Sequence, residues 1–146
     1  MGFSYKYPRM LVTVDSLVFL KDEESTLINV LLIQRKNYPF KGHFALPGGF
    51  PEMGELLKDA AKRELFEETG LADIELYQLR AFDGINRDPR DRNISIVFYG
   101  FTTKDNSKLN AGDDAQSAEW FPIDNLPKLA FDHYEIINFA RNKLNI

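Results

Sequence analysis

Two periods govern where apolar residues fall in this chain. From Arg9 to Leu20 they are nearly continuous and rich in β-branched types, and after the polar break at Lys21 to Ser25 a second such run covers Ile28 to Gln34. The pattern predicts two strands joined by a turn. His43 to Leu46 reads as a short strand running into Pro47-Gly48-Gly49, where paired glycines mark a backbone that turns sharply or is approached closely. From Glu55 to Thr69 the period lengthens to that of a helix. Leu56, Leu57, Ala60, Ala61, Leu65 and Phe66 form its expected inward stripe, and Gly70 its stop. Strands over Ile74 to Phe82 and Ile94 to Thr102 flank the polar loop from Asp83 to Asn93, and Ala118 to Phe121 is a further short strand. A closing helix runs from Asp132 to Leu144, with Asp132 as N-cap and Ile136, Ile137, Phe139, Ala140 and Leu144 inward. With no repeat, low-complexity tract or linker, the order predicts one α/β domain over residues 1–146, a sandwich with a mixed sheet.

Composition narrows the chemistry. Twelve Phe and six Tyr give a chain of 146 residues enough apolar area to offset the entropy of ordering it. The absence of cysteine excludes a disulfide framework, a thiolate nucleophile and any cysteine-bound metal centre. A net charge of −4 supplies no broad basic surface for a nucleic-acid backbone, so no nucleic-acid partner is expected. A small anionic substrate is a different matter, because a few local cations and a bound metal suffice to hold it. The N-terminus lacks the apolar stretch of a secretory signal and no run approaches a membrane span, so the expectation is a cytoplasmic protein without a membrane partner.

The informative segment runs from Gly49 to Leu71. At helical spacing Glu64, Glu67 and Glu68 fall on one side, where three unpartnered carboxylates repel one another and raise their own pKa values. A solvated acidic face is the plain alternative. Its position argues otherwise, because the cluster occupies the last turns of the helix, where the macrodipole opposes negative charge. A hard cation removes the penalty, and an all-oxygen ligand set suits Mg²⁺, with Mn²⁺ as a substitute. Arg63 lies four residues before Glu67 and can brace it as an ion pair.

This segment also resembles the Nudix box at each defining position: Gly49, five residues, Glu55, seven residues, then Arg63-Glu64-Leu65-Phe66-Glu67-Glu68-Thr69-Gly70-Leu71. The resemblance implies a Nudix-like α/β/α sandwich and a Mg²⁺-dependent pyrophosphohydrolase. It implies that Glu64, Glu67 and Glu68 ligate metal, with Glu64 also a candidate base toward water. By the same resemblance Gly48 lends its carbonyl to the metal, Arg63 orients carboxylates and Glu55 supports them or adds a ligand. Hydrolysis by this route needs no covalent enzyme intermediate, and the chain shows no nucleophile constellation.

Two further segments are similar to the ADP-ribose pyrophosphatase branch of that family: Phe82 to Ser95, and Ala111 to Phe121 followed by Leu129 to His133. The first is an arginine-rich loop in which Arg87 and Arg90 are candidate phosphate or ribose ligands, against the alternative of a solvated hairpin loop held by internal ion pairs. Asp114, on a loop, is the candidate extra ligand or general base, against that of a turn residue. Arg35 ends its strand beside the glycine loop and is a third candidate for phosphate, unless it is an exposed strand-end cation. His133 reads as a residue that packs or caps at the last helix, and Trp120 as core rather than a base-stacking platform. The expected reaction is hydrolysis of ADP-ribose to AMP and ribose 5-phosphate. The alternatives are another nucleotide (a modified triphosphate, a sugar nucleotide or a dinucleoside polyphosphate) and an ADP-ribose-sensing regulatory domain. Against sensing stand the intact glutamates and the lack of a winged-helix extension beyond Ile146. The resemblance makes a homodimer a further expectation.

Overall fold

A computed structural model describes residues 2–22, 24, 26–110 and 115–146, with backbone alone at 115 and 116. Strand β1 (Leu11–Lys21) is central, flanked by β2 (Ile28–Arg35) and, in parallel, by β6 (Asn93–Thr102). Outside β6 lies β5 (Tyr77–Phe82), antiparallel, and outside β2 lies β7 (Ala115–Pro122), also antiparallel. One parallel pairing among antiparallel ones makes the sheet mixed, as the element order implied. Its strands carry apolar residues on both faces, and each face is covered by a helix.

Side-chain alternation decides which residue meets which helix. Val14 and Val18 of β1, Leu31 of β2 and Phe98 of β6 pack on one face with Ala60, Ala61 and Leu65 of α1 (Leu57–Thr69). Leu17 and Phe19, Val30 and Leu32, and Val97 point the other way, onto Ile136, Ile137 and Ala140 of α2 (His133–Leu144). This is the α/β/α sandwich. Each large side chain fully withdrawn from water here contributes roughly 1.5–3 kcal/mol. Trp120 packs against the α1-side core and donates its indole N–H to the Ser107 carbonyl at 2.9 Å, which suits a core residue.

The expected α1 stripe needs two corrections. Leu56 precedes the helix as its N-cap and is exposed, and Phe66 is exposed as well. At 3.6 residues per turn, Phe66 projects from the side of the helix opposite Leu57 and Ala61, so apolar character alone misplaced it. Gly70 ends α1 in the left-handed conformation, its N–H bonded to the Phe66 carbonyl.

One departure from a plain sheet creates the cleft. β1 and β2 pair only near Phe19 and Val30, and farther along they part. The segment between β3 (Phe44–Ala45) and β4 (Gly48–Gly49) fills the gap, its first half pairing with β2 at Ile33 and its second with β1 at Val14 and Asp15. The paired glycines are thus a strand in close approach. A Cβ at Gly48 would collide with the Val14 carbonyl oxygen and the Asp15 carboxylate.

Candidate active site

α1 brings the glutamate cluster up against the inserted strand. The side of Gly49 where a Cβ would stand is filled by Glu64, whose carboxylate carbon lies 2.5 Å from that position. A side chain there would have to displace the Glu64 carboxylate. Glu68 is buried and accepts the Gly48 N–H at 3.2 Å. Glu67 is largely exposed, with Arg63 Nη1 at 3.3 Å from its Oε2.

Arg63 organises this side. Its Nε and Nη2 donate to the two oxygens of Glu55 at 2.8 and 2.9 Å, Nη1 to Glu64 at 2.9 Å, and Nη2 also to the Phe50 carbonyl at 3.2 Å. The brace on Glu67 expected from the four-residue spacing is present, but the two-pronged bond to Glu55 is the stronger geometry. Hydrogen bonding from Arg63, with the Glu52 N–H, holds the Glu55 carboxyl down at about 2. The same bond to Glu55, outweighing burial, raises the Arg63 pKa above its already high ordinary value. Glu55 therefore acts here as a support.

On the α2 side of the gap opens a cleft of about 380 Å³. Of the three glutamates Glu68 borders it, with Gly48 and Gly49 beside it, and the cations along it are Arg35, Lys36, Arg87 and Arg90. Arg35 donates Nε to the Pro39 carbonyl at 2.8 Å and lies over the Phe131 ring. Burial, reinforced by the charge of Arg90, lowers its pKa. Arg90 is bonded through Nε and Nη2 to Asp88 at 3.1 and 2.8 Å. Burial alone would push the Asp88 carboxyl up, but the side-chain and backbone bonds from Arg90 outweigh it and leave Asp88 lowered.

Arg87 borders the same cleft, yet its Nε and Nη2 grip Asp132 at 3.0 and 2.7 Å, and its side chain is only 4% exposed. The sequence expectation for Arg87 was a substrate ligand; the geometry commits its planar fork to tying the loop to the start of α2. Asp132 occupies the N-cap position but makes no side-chain cap bond, because its carboxylate faces Arg87 instead. Asp114 lies outside the described residues.

Two residues of the cleft escaped sequence reasoning. Asp15, in the middle of an apolar strand, is buried, accepts a short hydrogen bond from the Ser95 hydroxyl and lies 3.9 Å from His133 Nε2. A lone aspartate in a run of Val, Leu and Phe was the available signal. His133 accepts the Leu46 N–H at Nδ1 (3.0 Å), and burial lowers its pKa, so it is a neutral packing residue. Asp88, the partner of Arg90, was legible only as part of a charged loop.

The donor set fits a hard divalent cation. Glu64 stands against Gly49 and Glu68 accepts the Gly48 N–H, so the donors gathered at the glycine strand are oxygens. Among the described residues no three acidic or histidine side chains form a complete metal cage. The trio Glu64, Glu67 and Glu68 expected from helical spacing is thus not gathered into one cage.

Comparison with known proteins bears on the family and the fold. Residues 11–139 match the family model described as NUDIX domain. The chain is 49% identical over 131 residues to the ADP-ribose pyrophosphatase of Methanocaldococcus jannaschii, covering 90% of this chain and 73% of that protein. Among solved structures it superposes on a MutT/nudix family protein from Enterococcus faecalis with a TM-score of 0.88 and 32% identity, over 99% of this chain and 65% of that one. It superposes on the NUDIX domain of Shewanella oneidensis NrtR complexed with ADP ribose with a TM-score of 0.86 and 29% identity, over 94% and 90%.

Proposed function

Because this chain belongs to the Nudix family, we propose that it hydrolyses the pyrophosphate bond of a nucleoside diphosphate derivative, and that its preferred substrate is ADP-ribose, released as AMP and ribose 5-phosphate. The observation that carries the reaction is the two-sided cleft, with Glu68 and the glycine strand along one wall and guanidinium groups along the other. The substrate rests on the similarity to an ADP-ribose pyrophosphatase over nine-tenths of the chain.

A diphosphate resists attack in water because its anionic oxygens repel a nucleophile. A divalent cation, Mg²⁺ or Mn²⁺, would be held by Glu68, Glu64 and the Gly48 carbonyl with Glu67 adjoining, and when bound it neutralises phosphate oxygens and acidifies water. Arg35 and Arg90 bind the diphosphate from the opposite wall, which lowers the repulsion without proton bookkeeping. Arg63 holds Glu64 and Glu67 in place and keeps Glu55 ionised. Glu64, which stands against Gly49, is the candidate base toward water by its place in the Nudix box. Arg87 anchors the loop that carries Arg90. Asp114, outside the described residues, is retained as a proposed extra ligand or general base.

The test is a comparison of kcat/KM across ADP-ribose, NADH, sugar nucleotides, dinucleoside polyphosphates and 8-oxo-dGTP. ADP-ribose ranks first in this reading, and a last place for it sinks the substrate assignment. A sensing domain remains the second reading, favoured by the ADP-ribose complex of the NrtR domain. Binding of ADP-ribose with Mg²⁺ present and no turnover would establish it. The partner in either reading is a small nucleotide, and a homodimer is the proposed assembly. No helix among the described residues is long and apolar enough to cross a membrane.

A further inference from the structure

Phe131 stands immediately before α2 with a φ of 52°, a left-handed backbone that a bulky side chain seldom adopts. Such a conformation persists only where the surroundings over-determine it. Here Ala130 donates its N–H to the Phe44 carbonyl at 2.8 Å and accepts from the His133 N–H at 3.1 Å, so the chain is tied on both sides. The ring is fixed as well, by Phe40 edge-on at 5.0 Å and His133 at 5.4 Å between centroids. Two cations use it: the guanidinium of Arg35 lies 4.9 Å from its centroid and that of Arg90 5.5 Å.

Two like charges on one ring repel, and the ring's negative face is what offsets the repulsion. Arg90 is hydrogen-bonded to Asp88, whereas Arg35 bonds a carbonyl, lies over the ring and feels Asp88, Glu68 and Asp15 through longer-range attraction. The Arg35 guanidinium therefore lines the cleft, with Glu68 and Gly48, without a carboxylate hydrogen-bonded to it among the described contacts. We propose that Phe131 is a positioning residue whose ring holds Arg35 and Arg90 side by side as a clamp for the substrate's diphosphate. This rests on the reading of the cleft as a diphosphate site, and it adds a residue that touches the reaction only through the two arginines.

The test replaces the ring's charge distribution without changing its shape. Inorganic pyrophosphate, titrated calorimetrically in EDTA, reads the clamp apart from metal and nucleoside. Pentafluorophenylalanine at position 131 reverses the ring quadrupole and is expected to weaken pyrophosphate about fivefold or more. Phe131→Leu weakens it comparably, and Phe131→Tyr restores it to within about twofold. With ADP-ribose the same variants raise KM while kcat changes little, a split that general loosening of the fold would not give. Pyrophosphate affinity unchanged in the fluorinated protein and in Phe131→Leu overturns the proposal, as does a failure of the unaltered protein to bind pyrophosphate. If the unaltered protein leaves ADP-ribose intact while ring-dependent pyrophosphate binding persists, the substrate assignment fails and the clamp stands.

Discussion

The two walls of the cleft are built in opposite ways. The glutamate side comes from one helix and the loop before it: Arg63 draws Glu55, Glu64 and Glu67 together, and Glu68 alone of these glutamates reaches the cleft. The cationic wall draws on four separated segments: Arg35 at the end of β2, the turn at Pro39 and Phe40, the loop carrying Arg87 to Arg90, and the start of α2. A locally built cluster survives small adjustments of the fold. The assembled one depends on a few long-range ties, above all the buried pair of Arg87 and Asp132 and the strained Phe131.

The largest effect should come from the local wall. Glu68→Gln keeps the side chain's shape and its acceptor for the Gly48 N–H but removes the charge, so turnover should fall on the order of 10³-fold with circular dichroism unchanged. Activity close to that of the unaltered protein would remove Glu68 from the metal set. The assembled wall should answer first in stability. Arg87→Leu leaves the mostly buried Asp132 carboxylate without its cation, an expected loss of about 3 to 5 kcal/mol in denaturant unfolding. The double change Arg87→Leu with Asp132→Leu should recover much of it, and no recovery would mean the pair is not the tie proposed.

A sharper contrast lies between neighbouring glycines. A Cβ at Gly49 meets the mobile end of Glu64, whereas one at Gly48 meets the Val14 backbone. Gly49→Ala should therefore fold nearly normally and lose activity on the order of 10²-fold through a displaced carboxylate. Gly48→Ala should lose stability as well, by about 2 kcal/mol or more from the clash. Equal thermal midpoints for the two would contradict the register of β4 on β1.

The smallest effect is a pH slope. Burial holds His133 neutral and lowers its pKa, so below the ordinary value of 6.5 the unfolded chain binds a proton that the folded one resists. The stability it contributes is complete above that pH and is lost as pH falls below it. His133→Asn keeps an acceptor for the Leu46 N–H and should flatten the slope between pH 6.5 and 5 in urea titrations. An unchanged slope would assign it to other groups.

Local spacing was enough for the elements of this protein, its mixed sheet and the tie between Arg63 and Glu67, because helix and strand periods and the reach of Arg63 act within a few residues. Even there Phe66 was misplaced, since apolar character does not specify the angle at which a helix meets its sheet. Only the tertiary structure could separate the arginines of the cleft. Arg87 and Arg90 look alike in a loop of alternating charge and both line the cleft, but Arg87 bonds Asp132, which folding brings within 3 Å from 45 residues away, and Arg90 bonds its neighbour Asp88. Asp15 and Phe131 follow the same rule. Their surroundings come from strands and turns remote in sequence, and a buried charge or a ring between two cations is defined by what folding places around it.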